Sequence, residues 1–262
     1  EKAGVSIPLY PAEHFYIITE PIKNLSKSLP VIRDFDNRTY IKEDAGKILV
    51  GIFEGNSIPA WDKTNKVPED FSFGEFQENF EHFEPYLASA IKRFPVLEKA
   101  GIRKFFSGPE SFTPDTNTLV GEVPEVKNFF VCCGLNSIGI GSGGGVGKVT
   151  AEWLINGHIN EDIFSYDIKR FQKFHSEIGF IKKRITESLG DLYGMHWPFK
   201  QHKTSRNIKT LPHHENLKSF GACFGVSGGY ERPMWFALDG EKAEYEYSYN
   251  YQNWYPSAEY ET

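Results

Sequence analysis

Cysteine and methionine are scarce in this chain, with three and two copies in 262 residues. Cysteines at positions 132, 133 and 223 do not make a disulfide framework. Cys132 and Cys133 are neighbours on a strand-like run, so their side chains point to opposite faces and do not share a metal. The eight histidines show no metal-ligand spacing. His213-His214 reads as a solvated loop pair. These shortages exclude a disulfide-stapled scaffold and a zinc site, and they fit a reducing compartment. The chain also lacks a lysine or arginine block, and its net charge is −6. That argues against nucleic acid and against an anionic membrane surface as partners. No apolar run reaches the roughly 18 residues of a membrane-spanning helix. There is no initiator Met and no signal peptide, and strand-like sequence begins within a few residues of Glu1. The chain is therefore expected to be an internal fragment of a longer protein.

Aromatic residues, at 15%, are plentiful and suit a deep core and an aromatic-lined site. The most informative stretch runs from Phe129 to Gly157. Phe129 to Cys133 is an apolar run of strand length. A glycine-rich turn follows, with the helix expected over Gly145 to Ile155. Val146, Val149, Thr150, Trp153 and Leu154 share one face of it, and Gly157 stands where a C-terminal cap belongs. Strand, glycine turn and helix together aim backbone N–H groups and a positive helix end at an anion or an electron-rich ring. A P-loop reading fails, because Ser142 stands where the motif needs glycine and Val149 cannot ligate magnesium. Gly139-x-Gly141-x-x-Gly144 matches a dinucleotide fingerprint, but Ile159 to Tyr166 is not the second strand a Rossmann unit requires. Two readings of the turn stay open: a backbone cradle for part of a cofactor, or close helix–strand packing with no ligand.

The rest of the chain reads in order. His14 to Thr19 is a strand with His14, Tyr16 and Ile18 on one face. Val31 to Asp36, Thr39 to Lys42 and Lys47 to Phe53 add short, locally connected strands, which point to an antiparallel sheet. Phe76 to Phe94 carries a helical apolar stripe interrupted by Pro85. Gly101 to Phe106 reads as a strand, and Gly108 to Val120 as a loop that delivers Asp115 to the mouth of the glycine turn. There Asp115 holds a cofactor, orders the turn or caps its own loop. Ile168 to Arg184 has helical spacing. Glu215 to Phe220 is a short helix, Cys223 to Val226 is short and apolar, and residues 245–260 hold too many tyrosines for a solvated terminus. The whole is an α+β protein.

Five motifs occur in this order: His14-Phe-Tyr16, Gly108-Pro-Glu-Ser-Phe-Thr-Pro-Asp115, Gly134-Leu-Asn-Ser-Ile-Gly139, Gly143-Gly-Gly-Val-Gly-Lys148 and Tyr230-Glu-Arg-Pro-Met-Trp-Phe236. The set resembles the dimethylglycine and sarcosine dehydrogenase family, which also includes the regulatory subunit of pyruvate dehydrogenase phosphatase. The resemblance implies a flavin oxidoreductase domain of the D-amino-acid oxidase type over residues 1–157, a central domain over 158–213, and the start of an aminomethyltransferase-like folate domain over 214–262. The family's own dinucleotide fingerprint is absent from this chain. The implied reaction oxidises an N-methyl amine to an iminium, with FAD as cofactor and water or tetrahydrofolate taking the one-carbon unit. The implied partners are a small amine substrate and an electron-transfer flavoprotein, in a bacterial cytoplasm or a mitochondrial matrix. Tyr16 matches a substrate-facing tyrosine, with His14 supporting it. Gly134, Leu135, Asn136, Ser137, Ile138, Gly139, Gly141 and Asp115 are the implied cofactor contacts. A non-catalytic regulatory homologue is the alternative.

Overall fold

The computed structural model describes residues 3–262, which form two compact units. The first holds the described residues up to Lys169 together with Lys173–Met195, and the second holds Arg170–Gln172 and His196–Thr262.

A five-stranded antiparallel sheet organises the first unit. Its strands are β1 (Tyr10–Thr19), β2 (Ile32–Asp34), β3 (Thr39–Asp44), β4 (Lys47–Ile52) and β5 (Ile102–Phe112), in the order β2-β3-β4-β1-β5. Period-two alternation sorts the side chains. Phe15 and Ile17 of β1, Ile41 of β3, Ile48, Val50 and Ile52 of β4 and Phe105 of β5 form one core under helix α1 (Phe80–Arg93). Asn79 caps α1, accepting a 3.1 Å hydrogen bond from the His82 N–H. The helix thus starts later than its apolar stripe suggests: Phe76 instead donates its N–H to Ser107 O at 2.7 Å. Pro85 sits inside α1 without ending it.

The other sheet face is covered only in part. Helix α2 (Gly139–Asn156) lies beside the small β6–β7 sheet (Leu119–Glu122 and Phe130–Cys133). Helix α3 (Ile178–Tyr193) buries Phe180, Ile181, Ile185 and Leu189 against Tyr10, Ala12, Phe53 and Phe112. The apolar spacing predicts a helix over Ile168 to Arg184. Instead Ile168–Arg170 and Lys173–Ser176 are 3-10 turns, and the α-helix starts ten residues late. α3 approaches the sheet through Gly190, where an added Cβ would come within 2.6 Å of Gly55 N and 2.8 Å of Glu54 O. β5 extends through Gly108-Pro-Glu, a stretch expected to be loop, because its backbone pairs with β1 from Tyr10↔Phe112 onward.

In the second unit, helix α4 (His214–Ser219) precedes a hairpin of β8 (Ala222–Ser227) and β9 (Tyr230–Phe236). Buried Glu231 is forked by Arg206, with Nε–Oε1 at 2.7 Å and Nη2–Oε2 at 2.5 Å. The tyrosine-rich tail turns back on this unit: Gln201 N–H donates to Tyr247 Oη at 2.8 Å, and Tyr249 donates to His196 O at 3.1 Å. It ends in helix α5 (Tyr255–Glu261).

Candidate functional site

The open part of the sheet carries one continuous row. Arg33, Tyr40, Gly51, Tyr16 and Phe106 stand side by side on β2, β3, β4, β1 and β5. Gly51 is the gap that shapes the row, because a Cβ there would overlap the Tyr40 ring. Tyr40 therefore lies over β4 towards Tyr16. Gly108 does the same for β5: its Cβ would meet Phe106 Cζ at 2.7 Å. The Phe106 ring leans along the strand towards Glu110, and Tyr16 stacks on it with centroids 4.5 Å apart. Tyr193, at the end of α3, closes one side by stacking on Phe53 at 3.7 Å. The result is an aromatic cup on the sheet surface. Burial pushes the Tyr40 phenol up, so it stays protonated at neutral pH.

His14 lies one step along the strand from Tyr16, on the same face, but it is nearly buried. Its ring packs 4.6 Å from Phe53 and 6.2 Å from Phe112. Burial lowers its pKa to about 4. Its Nε2 approaches Glu110 Oε2 at 3.9 Å, beyond hydrogen-bond reach. At neutral pH this is a neutral ring beside a carboxyl group rather than an ion pair. His14 thus floors the cup, while Tyr16 lines it.

The glycine turn meets this sheet through β5. Asn136 is buried, and its Oδ1 accepts the Thr113 N–H at 2.9 Å while its Nδ2 donates to Gly134 O at 2.6 Å. Ser137 donates its hydroxyl to Glu110 Oε2 at 2.8 Å. Gly134, Asn136 and Ser137 take φ of 65°, 47° and 66° in succession around Leu135. These left-handed backbones are held by two anchors, Glu110 on β5 and Thr113 just past its end. Asp115 accepts the Asn117 N–H at 3.1 Å, with the Thr113 hydroxyl 3.3 Å away, so it orders the loop beside Asn136. Glu110 was not singled out from sequence. It stands mid-strand, and only the fold brings it to the turn. Burial pushes its carboxyl above the usual range, against two hydrogen bonds from Ser137.

The expected turn over Asn136 to Gly141 is shorter than the sequence suggests. The helix begins at Gly139, not Gly145, so Gly139 and Gly141 are its first-turn residues and the other glycines lie inside it. Glycine disfavours a helix only mildly, and the β5 anchors set the start point. Ile138 precedes the first turn with no side-chain cap and no acidic residue follows it, which leaves first-turn N–H groups and the positive helix end open. A Cβ built on Gly141, Gly143, Gly144, Gly145 or Gly147 meets nothing within 4 Å. Nothing in the described residues requires those glycines, so the close-packing account of the turn does not explain them. Trp153, on the other edge of α2, packs over β6, where it stands 2.6 Å from a Cβ built on Gly121. An open, uncapped, side-chain-free helix start fits an anionic or electron-rich group. Burial pushes the neighbouring Cys133 thiol up to about 11, so it offers no nucleophile.

An antiparallel sheet with a strand–turn–helix anchored to its edge strand defines the fold class. The solved L-proline dehydrogenase of P. horikoshii matches it with a TM-score of 0.52 at 24% identity, over 65% of this chain and 42% of that one. Residues 1–153 match the FAD dependent oxidoreductase family, and residues 156–210 match the FAD dependent oxidoreductase central domain. The chain belongs to the FAD-dependent oxidoreductases. It is 43% identical over 253 residues to 4-methylaminobutanoate oxidase (formaldehyde-forming) of Paenarthrobacter nicotinovorans, covering 97% of this chain and 30% of that protein. It is 39% identical over 248 residues to human mitochondrial sarcosine dehydrogenase, covering 94% of this chain and 26% of that protein. The chain thus spans less than a third of the length of these relatives. Among the described residues no helix is long and apolar enough to cross a membrane.

Proposed function

We propose that this chain supplies the substrate face and part of the flavin cradle of an enzyme that oxidises N-methyl amines. One observation carries the reading: β5 and the residue that follows it join an open aromatic cup to an uncapped, glycine-rich helix start, through Ser137–Glu110 and Thr113–Asn136. FAD, when bound, supplies the hydride acceptor. The backbone from Gly134 to Gly139, with Leu135, Asn136, Ser137, Ile138 and Gly141, would hold it, and Asp115 would order that backbone from behind. Free N–H groups at the start of α2 offset negative charge that develops beside them in a dry site. Glycine at 141 lets the backbone approach a flat ring without side-chain clash, while Gly139 makes room for Leu135. Tyr16 faces the cup and orients the amine through its phenol, while Phe106 and Tyr40 exclude water around the reacting methyl group. His14 keeps the floor neutral and supports Tyr16 from the same strand.

Relatives named for 4-methylaminobutanoate and sarcosine support this substrate class. The formaldehyde-forming relative supports water as the taker of the one-carbon unit. Tetrahydrofolate as taker and an electron-transfer flavoprotein as oxidant complete the reading on the strength of the resemblance. So does a bacterial cytoplasm or mitochondrial matrix as its location. The test is the visible spectrum of the full-length protein, followed by anaerobic addition of sarcosine, dimethylglycine and 4-methylaminobutanoate. A flavin band that bleaches with one of them is the expected result. Absence of flavin overturns the cradle, and a flavin that none of them reduces points to a regulatory homologue.

A further inference from the structure

Glu110 is a carboxylate with an unusual position. It sits at the rim of the aromatic cup, opposite Ala12 in the β1–β5 register and on the same sheet face as His14 and Tyr16. Its Oε2 is fixed by the Ser137 hydroxyl at 2.8 Å. The side chain keeps 33% of its surface exposed. Among the described residues no lysine or arginine pairs with it, and the nearest ring, His14, carries no charge at neutral pH. The Phe106 ring leans towards it over Gly108. A half-buried carboxylate without a counter-charge, facing aromatic rings, is complementary to an organic cation.

We infer that Glu110 is the specificity-determining residue that binds the cationic nitrogen of the substrate, with Ser137 holding one carboxylate oxygen so that the other faces the cup. This rests on the N-methyl amine reading above and adds the group that selects for charge. It explains why the turn is tied to β5 by a carboxylate where a neutral acceptor would hold Ser137 equally well. It also places the amine between Glu110 and the Tyr16–Phe106 pair.

The test uses full-length flavoprotein and two ligands of nearly the same shape. Trimethylglycine carries a permanent quaternary ammonium with no nitrogen lone pair to oxidise, and tert-butylacetate replaces that ammonium by a neutral quaternary carbon while keeping the same carboxylate. Each is titrated against the visible flavin spectrum of the wild type, E110Q and E110D. Glutamine keeps an acceptor for Ser137 and removes the charge. E110Q should weaken trimethylglycine on the order of 10- to 100-fold, the worth of a close, half-buried ion pair, and leave tert-butylacetate within about twofold. E110D should recover part of the preference. The KM for the amine that bleaches the flavin should rise by a similar factor in E110Q while kcat holds. Equal loss of both ligands, no loss of either, or loss of flavin from E110Q would each overturn the inference, the last by making Glu110 an anchor of the turn alone. A wild-type flavin untouched by every N-methyl amine would instead sink the reading on which it rests.

Discussion

Replacing Gly144 with alanine tests whether the glycines of α2 exist for something outside the described residues. Gly143, Gly144, Gly145 and Gly147 lie past the first turn of an 18-residue helix. Each disfavours the helix by about 0.8–1.0 kcal/mol relative to alanine, so together they cost about 3–4 kcal/mol. A Cβ at Gly144 meets nothing within 4 Å, so the described chain offers no packing reason for this cost. In the flavin-free full-length protein G144A should therefore stabilise by about 0.5–1 kcal/mol. In the flavin-bound protein the added methyl would stand within one turn of Gly141, on open glycine backbone, and should cost about 1–3 kcal/mol, so flavin should bind about 5- to 100-fold more weakly. Thermal melts of both forms and flavin titration of the apoprotein read the two effects separately. A variant equally stabilised with and without flavin, at unchanged flavin affinity, refutes the cradle reasoning. So does an apoprotein destabilised at unchanged affinity, which would mean that protein covers the glycine face.

Gly190→Ala should behave in the opposite way, because its Cβ would press on the backbone of Gly55 and Glu54 and lift α3 from the sheet; a loss of about 2–3 kcal/mol, or roughly 5–10 °C in melting temperature, is expected, and an unchanged melt contradicts the packing. Gly51→Ala should push the Tyr40 ring out of the row and raise KM about 5- to 30-fold while flavin content stays at the wild-type level; a loss of flavin instead would place Tyr40 on the cofactor side. His14 is kept neutral by burial, its pKa lowered from 6.5 to about 4. The unfolded imidazole takes up a proton first, so this contribution is complete above pH 6.5 and is lost as pH falls towards 4, by up to about 3 kcal/mol. Melts at pH 7.5 and 5 should show a smaller acid shift in His14→Gln than in the wild type, and equal shifts would disprove the assignment.

The expectations that rested on local chemistry agree with the structure where local chemistry decides. The period-two alternation of β1 already put His14 and Tyr16 on one face, and Gly157 does end α2 in the left-handed conformation, with φ of 74°. The run from Lys47 and the hairpin around Asp36-Asn37 became neighbouring antiparallel strands because short connections leave few other pairings. The resemblance carried the flavin family, since five ordered motifs record constraints that no single turn pattern reveals.

Other features depended on which residues came together in space. Helical spacing alone put the start of α2 at Gly145, six residues late, because glycine tolerates helix and loop alike; contacts to β5, some two dozen residues upstream, set the start. Gly108-Pro-Glu looked like a loop, yet pairing with β1 made it strand and turned Glu110 towards Ser137. His14 and Tyr16 are alike in sequence pattern, but Phe53, Phe112 and the approach of α3 bury one and leave the other lining the cup. Alternation says which side of a sheet a residue faces. What covers that side is decided by elements distant in sequence, and at this site that cover separates a neutral floor from a surface open to substrate.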